Sequence, residues 1–231
     1  MKEFSFKSMY WSWKELVLLL LITFLFVPIV IENLLHDVLY VFLEDSLYAG
    51  TITGLVMAII FTVGVYVIAL SPHNLSWRAV GFNTFHTSYW KSILSWTSLL
   101  IVVSVGIVIL MELLGGTTEN TKTESLQNNM GIWTILIAFV SAAIISPIYE
   151  EIFYRGFLYR WFRVKWGVPA GILLSSFVFM LVHIPTYNTL PINFLSGVIF
   201  SWTYEKTGSL YPGMIIHAVF NGIAVALTAI G

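Results

Sequence analysis

The chain has 231 residues, of which 58% are hydrophobic and only 10% are charged, and its mean hydropathy is +0.87. A soluble globular domain carries about 25% charged residues, so this composition indicates an integral membrane protein whose surroundings include the lipid bilayer. The sequence has no cysteine, which excludes disulfides, thiolate metal sites and a cysteine nucleophile. A net charge of −1 lacks the excess of positive charge that is typical of proteins that bind nucleic acid.

Apolar segments follow one another along the chain and predict an all-α, polytopic transmembrane bundle of about seven spans, within a range of six to eight. They lie near residues 15–31, 50–70, 92–114, 132–162, 168–184, 190–204 and 210–229. The first is interpreted as a retained helix and not as a removed signal peptide. The fourth is too long for one crossing, so we expect a kinked helix or two elements around Pro147. Between the spans, 32–49 is predicted to be an acidic connection and 115–131 an external loop.

Lysine and arginine are distributed asymmetrically, and this asymmetry predicts the orientation of the bundle. Ten of the eleven basic residues precede the first span or fall in alternate connections, and the opposite side carries only Lys122. The ten are Lys2, Lys7, Lys14, Arg78, Lys91, Arg155, Arg160, Arg163, Lys165 and Lys206. The N-terminus is therefore predicted to be cytoplasmic, in a multi-pass protein of a cell membrane, most simply a bacterial plasma membrane.

Two adjacent carboxylates, Glu150 and Glu151, lie inside the fourth apolar segment. An ionised side chain at membrane depth costs several kcal/mol, on the order of 3 or more, so such residues usually serve a pathway or a reaction. Glu151 and Arg155 are spaced i,i+4 with the acid first, the favourable order for a helical ion pair. Glu150 points about 100° away around the helix, so it need not share that partner.

Two further segments carry polar groups that can reach the depth of Glu150. His217 and Asn221 share one helical face, and His183 lies near the end of the fifth segment. Counting about 1.5 Å per residue, Asn221 lies roughly 17 Å deep, Glu150 about 20 Å and His183 roughly 22 Å. These depths agree only if the fourth helix continues past the glutamates, which makes burial of Glu150 a testable expectation. Gly197 and Ser201 have small-x-x-x-small spacing and predict a close helix contact.

Three motifs occur here in a fixed order: Glu150-Glu151-x-x-x-Arg155, Phe179-x-x-x-His183 and His217-x-x-x-Asn221. This ordered set resembles the CAAX protease and bacteriocin-processing family of intramembrane proteases, also called the Abi family. The resemblance implies an all-helical membrane core over residues 131–231, whereas residues 1–130 read as generic transmembrane helices.

The resemblance implies hydrolysis of peptide bonds within the membrane. Glu150, helped by His183, would activate a water, and His217 and Asn221 would donate hydrogen bonds to the oxyanion. Glu151 and Arg155 would orient Glu150. Two alternatives stay open for cofactors: a metal-free carboxylate mechanism, which is favoured, or Zn²⁺ held by Glu150, His183 and His217 with water in an open position.

The implied substrate is a peptide or a lipidated protein, because family members trim prenylated proteins or are associated with bacteriocin maturation and self-immunity. A small secreted or signalling peptide is the favoured substrate. Two other functions compete with proteolysis. The first is a non-catalytic membrane protein of the same fold that binds or regulates a partner. The second is a transporter, against which the missing internal repeat argues.

Overall fold

Helices are the regular structure throughout the computed structural model, which describes residues 10–117, residue 124 and residues 131–230. They are α1 (Trp13–Leu43), α2 (Ser46–His73), α3 (Thr87–Leu113), α4 (132–166), α5 (168–181), α6 (Leu190–Thr207) and α7 (Tyr211–Ile230). The described ranges contain no strand, which confirms the all-α prediction. Within these ranges, five helical runs are long and apolar enough to cross a membrane: α1, α2, α3, the run holding α4 and α5, and α7. The predicted external loop at 115–131 lies mostly outside the described residues.

Helix α1 is longer than its apolar core suggests. It starts after Ser12, whose side chain accepts a hydrogen bond from the Lys14 backbone N–H, while the Glu15 carboxylate accepts one from the Ser12 backbone N–H. It then passes Pro28 within a π-helical stretch, whose wider turns accommodate a residue without an N–H. The prediction that 32–49 is a connection was wrong, because the helix continues to Leu43. Two acidic residues of that stretch, Glu32 and Asp37, lie on the helix and are exposed.

Helix α4 passes Pro147 without ending. A π turn at Ser141–Ile145 precedes this proline, and the helix then continues through the two glutamates. The run ends instead at Gly167, where φ is 86° and ψ is 174°, a backbone conformation that glycine adopts at little cost. The expectation of two elements around Pro147 is therefore corrected: the helix is continuous there, with π-helical stretches at Ser141–Ile145 and Glu151–Tyr159, and the break lies twenty residues later.

The centre of the bundle is the middle of α4. All nine residues from Glu151 to Tyr159 are buried, so this stretch is covered on every side. A helix buried all round must be packed by neighbours on all faces. Close approach is visible at Gly156, where an added Cβ would lie 2.9 Å from the Val80 carbonyl oxygen. The chemistry-bearing residues of α4 are thus held in the most enclosed part of the protein.

Helices α5 and α6 pack through small residues. A Cβ added at Gly197 would lie 2.8 Å from the Ser176 Cβ, and the hydroxyls of Ser175 and Ser201 are 3.2 Å apart. The small-residue contact predicted from the sequence is confirmed. Helix α6 ends at Gly208, whose φ of 64° turns the chain into α7. This tight connection returns α7 alongside α6 and brings its histidine to the face of α4.

Candidate active site

Glu150 lies in the enclosed part of α4 with 8% of its surface exposed. The helix continues past it, as the depth comparison required, so the expected burial is confirmed. Ser146, one turn earlier, donates a hydrogen bond to Oε1 of Glu150. The other oxygen, Oε2, has no hydrogen-bond partner among the described residues and lies 3.7 Å from Nε2 of His217. A buried carboxylate oxygen is thus directed at an imidazole across a gap longer than a hydrogen bond.

Glu151 and Arg155 form the ion pair that their spacing predicted. The Arg155 Nη1 atom is 2.9 Å from Oε1 of Glu151, and both side chains are 1% exposed. The same carboxylate oxygen lies 3.4 Å from Nδ1 of His217. His217 therefore bridges the two glutamates, with one ring nitrogen facing each. Two carboxylates and one guanidinium carry a net charge of −1, which an imidazolium at His217 would neutralise.

Aromatic rings enclose this charged cluster. The Arg155 guanidinium carbon lies 4.5 Å from the centre of the Phe179 ring and 4.9 Å from that of Phe200. Phe200 also stacks on the His217 imidazole, with ring centroids 4.7 Å apart and planes 22° apart. Sequence reasoning missed Phe200, because a phenylalanine within an apolar helix carries no distinguishing pattern. Its position fixes the plane of the imidazole that faces both carboxylates.

His183, at the end of α5, is joined to the cluster through Phe179. The Phe179 ring centroid lies 4.9 Å from that of His183 and 6.0 Å from that of His217. Nδ1 of His183 is 2.7 Å from the Phe179 backbone oxygen, which can only accept a hydrogen bond. Nδ1 therefore carries the proton, and Nε2 is the basic nitrogen of the neutral ring. The predicted role of His183 beside Glu150 stays a prediction.

The Asn221 side chain donates a hydrogen bond that the backbone nitrogen of Pro147 cannot donate. In the π turn, the Ser146 N–H donates to the Ser141 oxygen, five residues back. The same register would pair the Ala142 oxygen with the nitrogen of Pro147, which has no hydrogen. Nδ2 of Asn221 donates to that Ala142 oxygen at 2.9 Å. This contact ties α7 to α4, and the second Nδ2 hydrogen is the one left for a ligand.

These side chains are not grouped as the ligands of a metal site would be. In the part of the chain that the structure describes, no three His, Asp or Glu residues are grouped so as to hold a metal ion. A zinc site needs three or four ligands at about 2.0–2.3 Å, so Glu150, His183 and His217 do not fit one as they stand.

Comparison with known proteins places the same region in a family. Residues 132–223 match the family described as Type II CAAX prenyl endopeptidase Rce1-like. The chain is 32% identical over 140 residues to the membrane-embedded CAAX protease MroQ of Staphylococcus aureus. The aligned region covers 58% of this chain and 56% of that protein. The chain is also 29% identical over 108 residues to the UPF0177 protein YbdI of Lactococcus lactis, covering 45% of this chain and 54% of that one. No solved structure matches.

The extent of these matches is limited. The chain spans about half the length of the curated relatives that it matches, between 54% and 56% for these two. With its apolar helices and its bacterial relatives, the chain is a multi-pass bacterial membrane protein, as predicted. The resemblance indicated by the three motifs is confirmed as well: the family match spans residues 132–223, which contain all three.

Proposed function

We propose that this protein is an intramembrane endopeptidase in which Glu150 activates the attacking water. One observation carries the proposal: a buried carboxylate oxygen, Oε2 of Glu150, faces Nε2 of His217 at 3.7 Å and has no hydrogen-bond partner within the described ranges. A buried polar atom normally has a partner, so an unpaired one at membrane depth indicates a site that a reactant completes. The family match over residues 132–223 supports this class of reaction.

The chemistry needs only groups that this chain supplies. Oε2 of Glu150 takes a proton from water as its oxygen attacks the scissile carbonyl carbon, and the carbonyl oxygen becomes an oxyanion. The tetrahedral intermediate then collapses, the C–N bond breaks, and Glu150 returns the proton to the leaving amine. The products are a carboxylic acid and an amine, and the glutamate ends as it began.

Hydrogen-bond donors around Glu150 would stabilise the oxyanion. Nε2 of His217 lies on the side of Glu150 and would donate from there, and Asn221 would offer its second amide hydrogen. One such donor lowers the barrier by about 3–4 kcal/mol in a well-studied protease. The basic Nε2 of His183 would share the water with Glu150. Glu151 and Arg155 would hold α4 and orient His217 without touching substrate.

The substrate would be a membrane-associated peptide or a lipidated protein, in keeping with the CAAX protease named among the relatives. A small secreted or signalling peptide, as in bacteriocin maturation or self-immunity, belongs to the same class. Within the bilayer, α1–α7 would give seven spans, with the N-terminus cytoplasmic because the lysines and arginines concentrate on that side. The site would then lie within the membrane, where a scissile bond in a lipid-anchored peptide can reach it.

The test uses the purified full chain in lipid vesicles with two probes, a fluorogenic peptide ending in a farnesylated CAAX sequence and its unprenylated twin. We expect wild-type protein to cleave at least one probe and Glu150→Gln to reduce turnover about 10²–10⁴-fold, the usual contribution of a general base. The matched control is Glu112→Gln, which alters an exposed carboxylate on α3 and should leave cleavage unchanged. Near-normal cleavage by Glu150→Gln would end the proposal.

Metal dependence is tested on the same protein. A metal-free mechanism predicts that dialysis against a strong chelator leaves turnover unchanged and that active protein contains no stoichiometric zinc. Loss of activity on chelation, with recovery on adding Zn²⁺ but not Mg²⁺, would instead favour a zinc enzyme. The side chains would then have to rearrange to bring three ligands together.

A further inference from the structure

Ser146 differs in its hydrogen bond from several other hydroxyl residues in these helices. These serines and threonines donate to the carbonyl oxygen four residues earlier, a pattern often seen in apolar helices. Such bonds measure 2.7–2.9 Å at Thr23, Thr53, Ser95, Thr97, Ser175 and Ser196. Ser146 donates in the opposite direction, to the carboxylate of Glu150 four residues later.

The π turn explains why the hydroxyl is available. For Ser146, the oxygen four residues earlier is that of Ala142, which accepts from Asn221 on α7. The backbone N–H of Ser146 reaches the Ser141 oxygen, so the turn is wider than an α turn at this point. The serine hydroxyl therefore points forward along α4. The ring of Pro147, which follows Ser146, would clash in α geometry with the carbonyl group four residues earlier, so it favours the wider turn.

The bond selects which carboxylate oxygen reacts. With Oε1 occupied by Ser146, Oε2 is the oxygen that faces Nε2 of His217. A glutamate side chain has three rotatable bonds, so without a second anchor its carboxylate would sample several orientations.

We infer that Ser146 is a positioning residue that holds the Glu150 carboxylate with Oε2 directed at His217. This inference rests on the proposed role of Glu150 as the base. It concerns orientation, so it predicts a loss in the chemical step and not in substrate binding: a correctly placed base contributes to the transition state, whereas Ser146 contacts no substrate.

The first experiment compares Ser146→Ala, Ser146→Thr and the control Ser104→Ala, which deletes a buried hydroxyl on α3 that has no hydrogen-bond partner among the described residues. We expect Ser146→Ala to lower kcat about tenfold, as for loss of one hydrogen bond to a charged group, with KM within about twofold of wild type. Ser146→Thr keeps the hydroxyl and should restore most of kcat. Ser104→Ala should leave both constants unchanged. An unaltered kcat in Ser146→Ala, or no rescue by threonine, overturns the inference.

The second experiment needs no substrate. Difference infrared spectra of wild type and Glu150→Gln identify the carboxyl stretching band of Glu150, whose frequency depends on the hydrogen bonds it accepts. We expect this band to shift in Ser146→Ala and to keep its place in Ser146→Thr and Ser104→Ala. An unshifted band in Ser146→Ala contradicts the inference even if the protein cleaves no probe. Conversely, a shifted band in a protein whose Glu150→Gln variant cleaves normally would refute the proposed function and leave the Ser146 contact standing.

Discussion

Helix α4 contributes to two ion pairs that differ in burial and in hydrogen bonding. Arg163 binds Glu205 with two hydrogen bonds of 2.7 Å each, and the side chains are 20% and 15% exposed. Arg155 and Glu151 are 1% exposed, yet buried atoms of both, Nε of the arginine and Oε2 of the glutamate, have no hydrogen-bond partner in the described parts of the chain. In the Arg163–Glu205 pair, the outer pair, the charged groups are hydrogen-bonded to each other. In the Glu151–Arg155 pair, the inner pair, at least one charged atom of each side chain is left without a hydrogen bond to the described residues.

The difference indicates two purposes. A bidentate, partly hydrated pair such as Arg163–Glu205, which also accepts a hydrogen bond from the Tyr159 hydroxyl at 2.6 Å, fastens α4 to α6. A fully buried pair with unmet hydrogen bonds is a costly way to fasten helices, since apolar residues of similar size often do as well or better. The Glu151–Arg155 pair also faces His217, with Oε1 of Glu151 lying 3.4 Å from Nδ1 of the imidazole.

The largest expected effect comes from breaking the inner pair. Arg155→Met leaves Glu151 buried without its cation and should lower the free energy of unfolding by about 3–5 kcal/mol. The measurement is reversible unfolding in mixed micelles, followed by tryptophan fluorescence. Removing both charges with Glu151→Gln and Arg155→Met should recover much of that loss. A single-variant loss smaller than about 1 kcal/mol would mean that water reaches this pair and that the cluster is not enclosed.

A smaller effect is expected from crowding the inner pair. A Cβ added at Gly213 would lie 2.9 Å from Oε2 of Glu151, so Gly213→Ala should push the carboxylate aside. We expect a loss of about 1–3 kcal/mol in unfolding free energy, typical of overpacking, together with reduced cleavage. The control is Gly106→Ala on α3, where no atom lies within 4 Å and alanine should be neutral or slightly stabilising. Equal stability of the two variants would contradict this description of the site.

The smallest effect is expected at the outer pair. Arg163→Met removes one partner of a partly hydrated pair, and Glu205 can regain water, so the loss should be about 1 kcal/mol or less. Turnover per folded molecule should stay near that of wild type. The same unfolding and cleavage measurements check it. A loss as large as that of Arg155→Met would erase the distinction between the two pairs.

The sequence predicted the helical class and the Glu151–Arg155 ion pair better than it predicted local geometry. Apolar runs report on helices and i,i+4 spacing reports on a shared helical face, and both expectations are confirmed, by the helices of the described ranges and by the 2.9 Å contact of this pair. The π turn before Pro147 was not predictable, because it depends on Asn221 arriving from another helix to pair with a carbonyl oxygen. The end of α1 at Leu43 was not predicted, because hydropathy indicates which residues are apolar enough for the bilayer and does not indicate where a helix ends.

The site also contains partners with no sequence signature. Ser146 is one of many serines in apolar helices, and only the structure shows that its hydroxyl turns towards Glu150. Phe200 is one of 17 phenylalanines, and its stacking on His217 follows from the packing of α6 against α7. Tertiary contacts of this kind are set by how helices dock, which local spacing does not encode.

The central claim is that Glu150 and His217 act as one unit, and a double-mutant cycle on turnover tests it most directly. Wild type, Glu150→Gln, His217→Gln and the double variant are compared on the cleaved probe, with folding checked for each. When two groups act as a unit, the effects of removing them are strongly non-additive. We therefore expect the turnover rate of the double variant to lie within about threefold of that of the less active single variant. If the two losses instead multiply, or if either single variant retains near-normal turnover, the two side chains do not share a catalytic step.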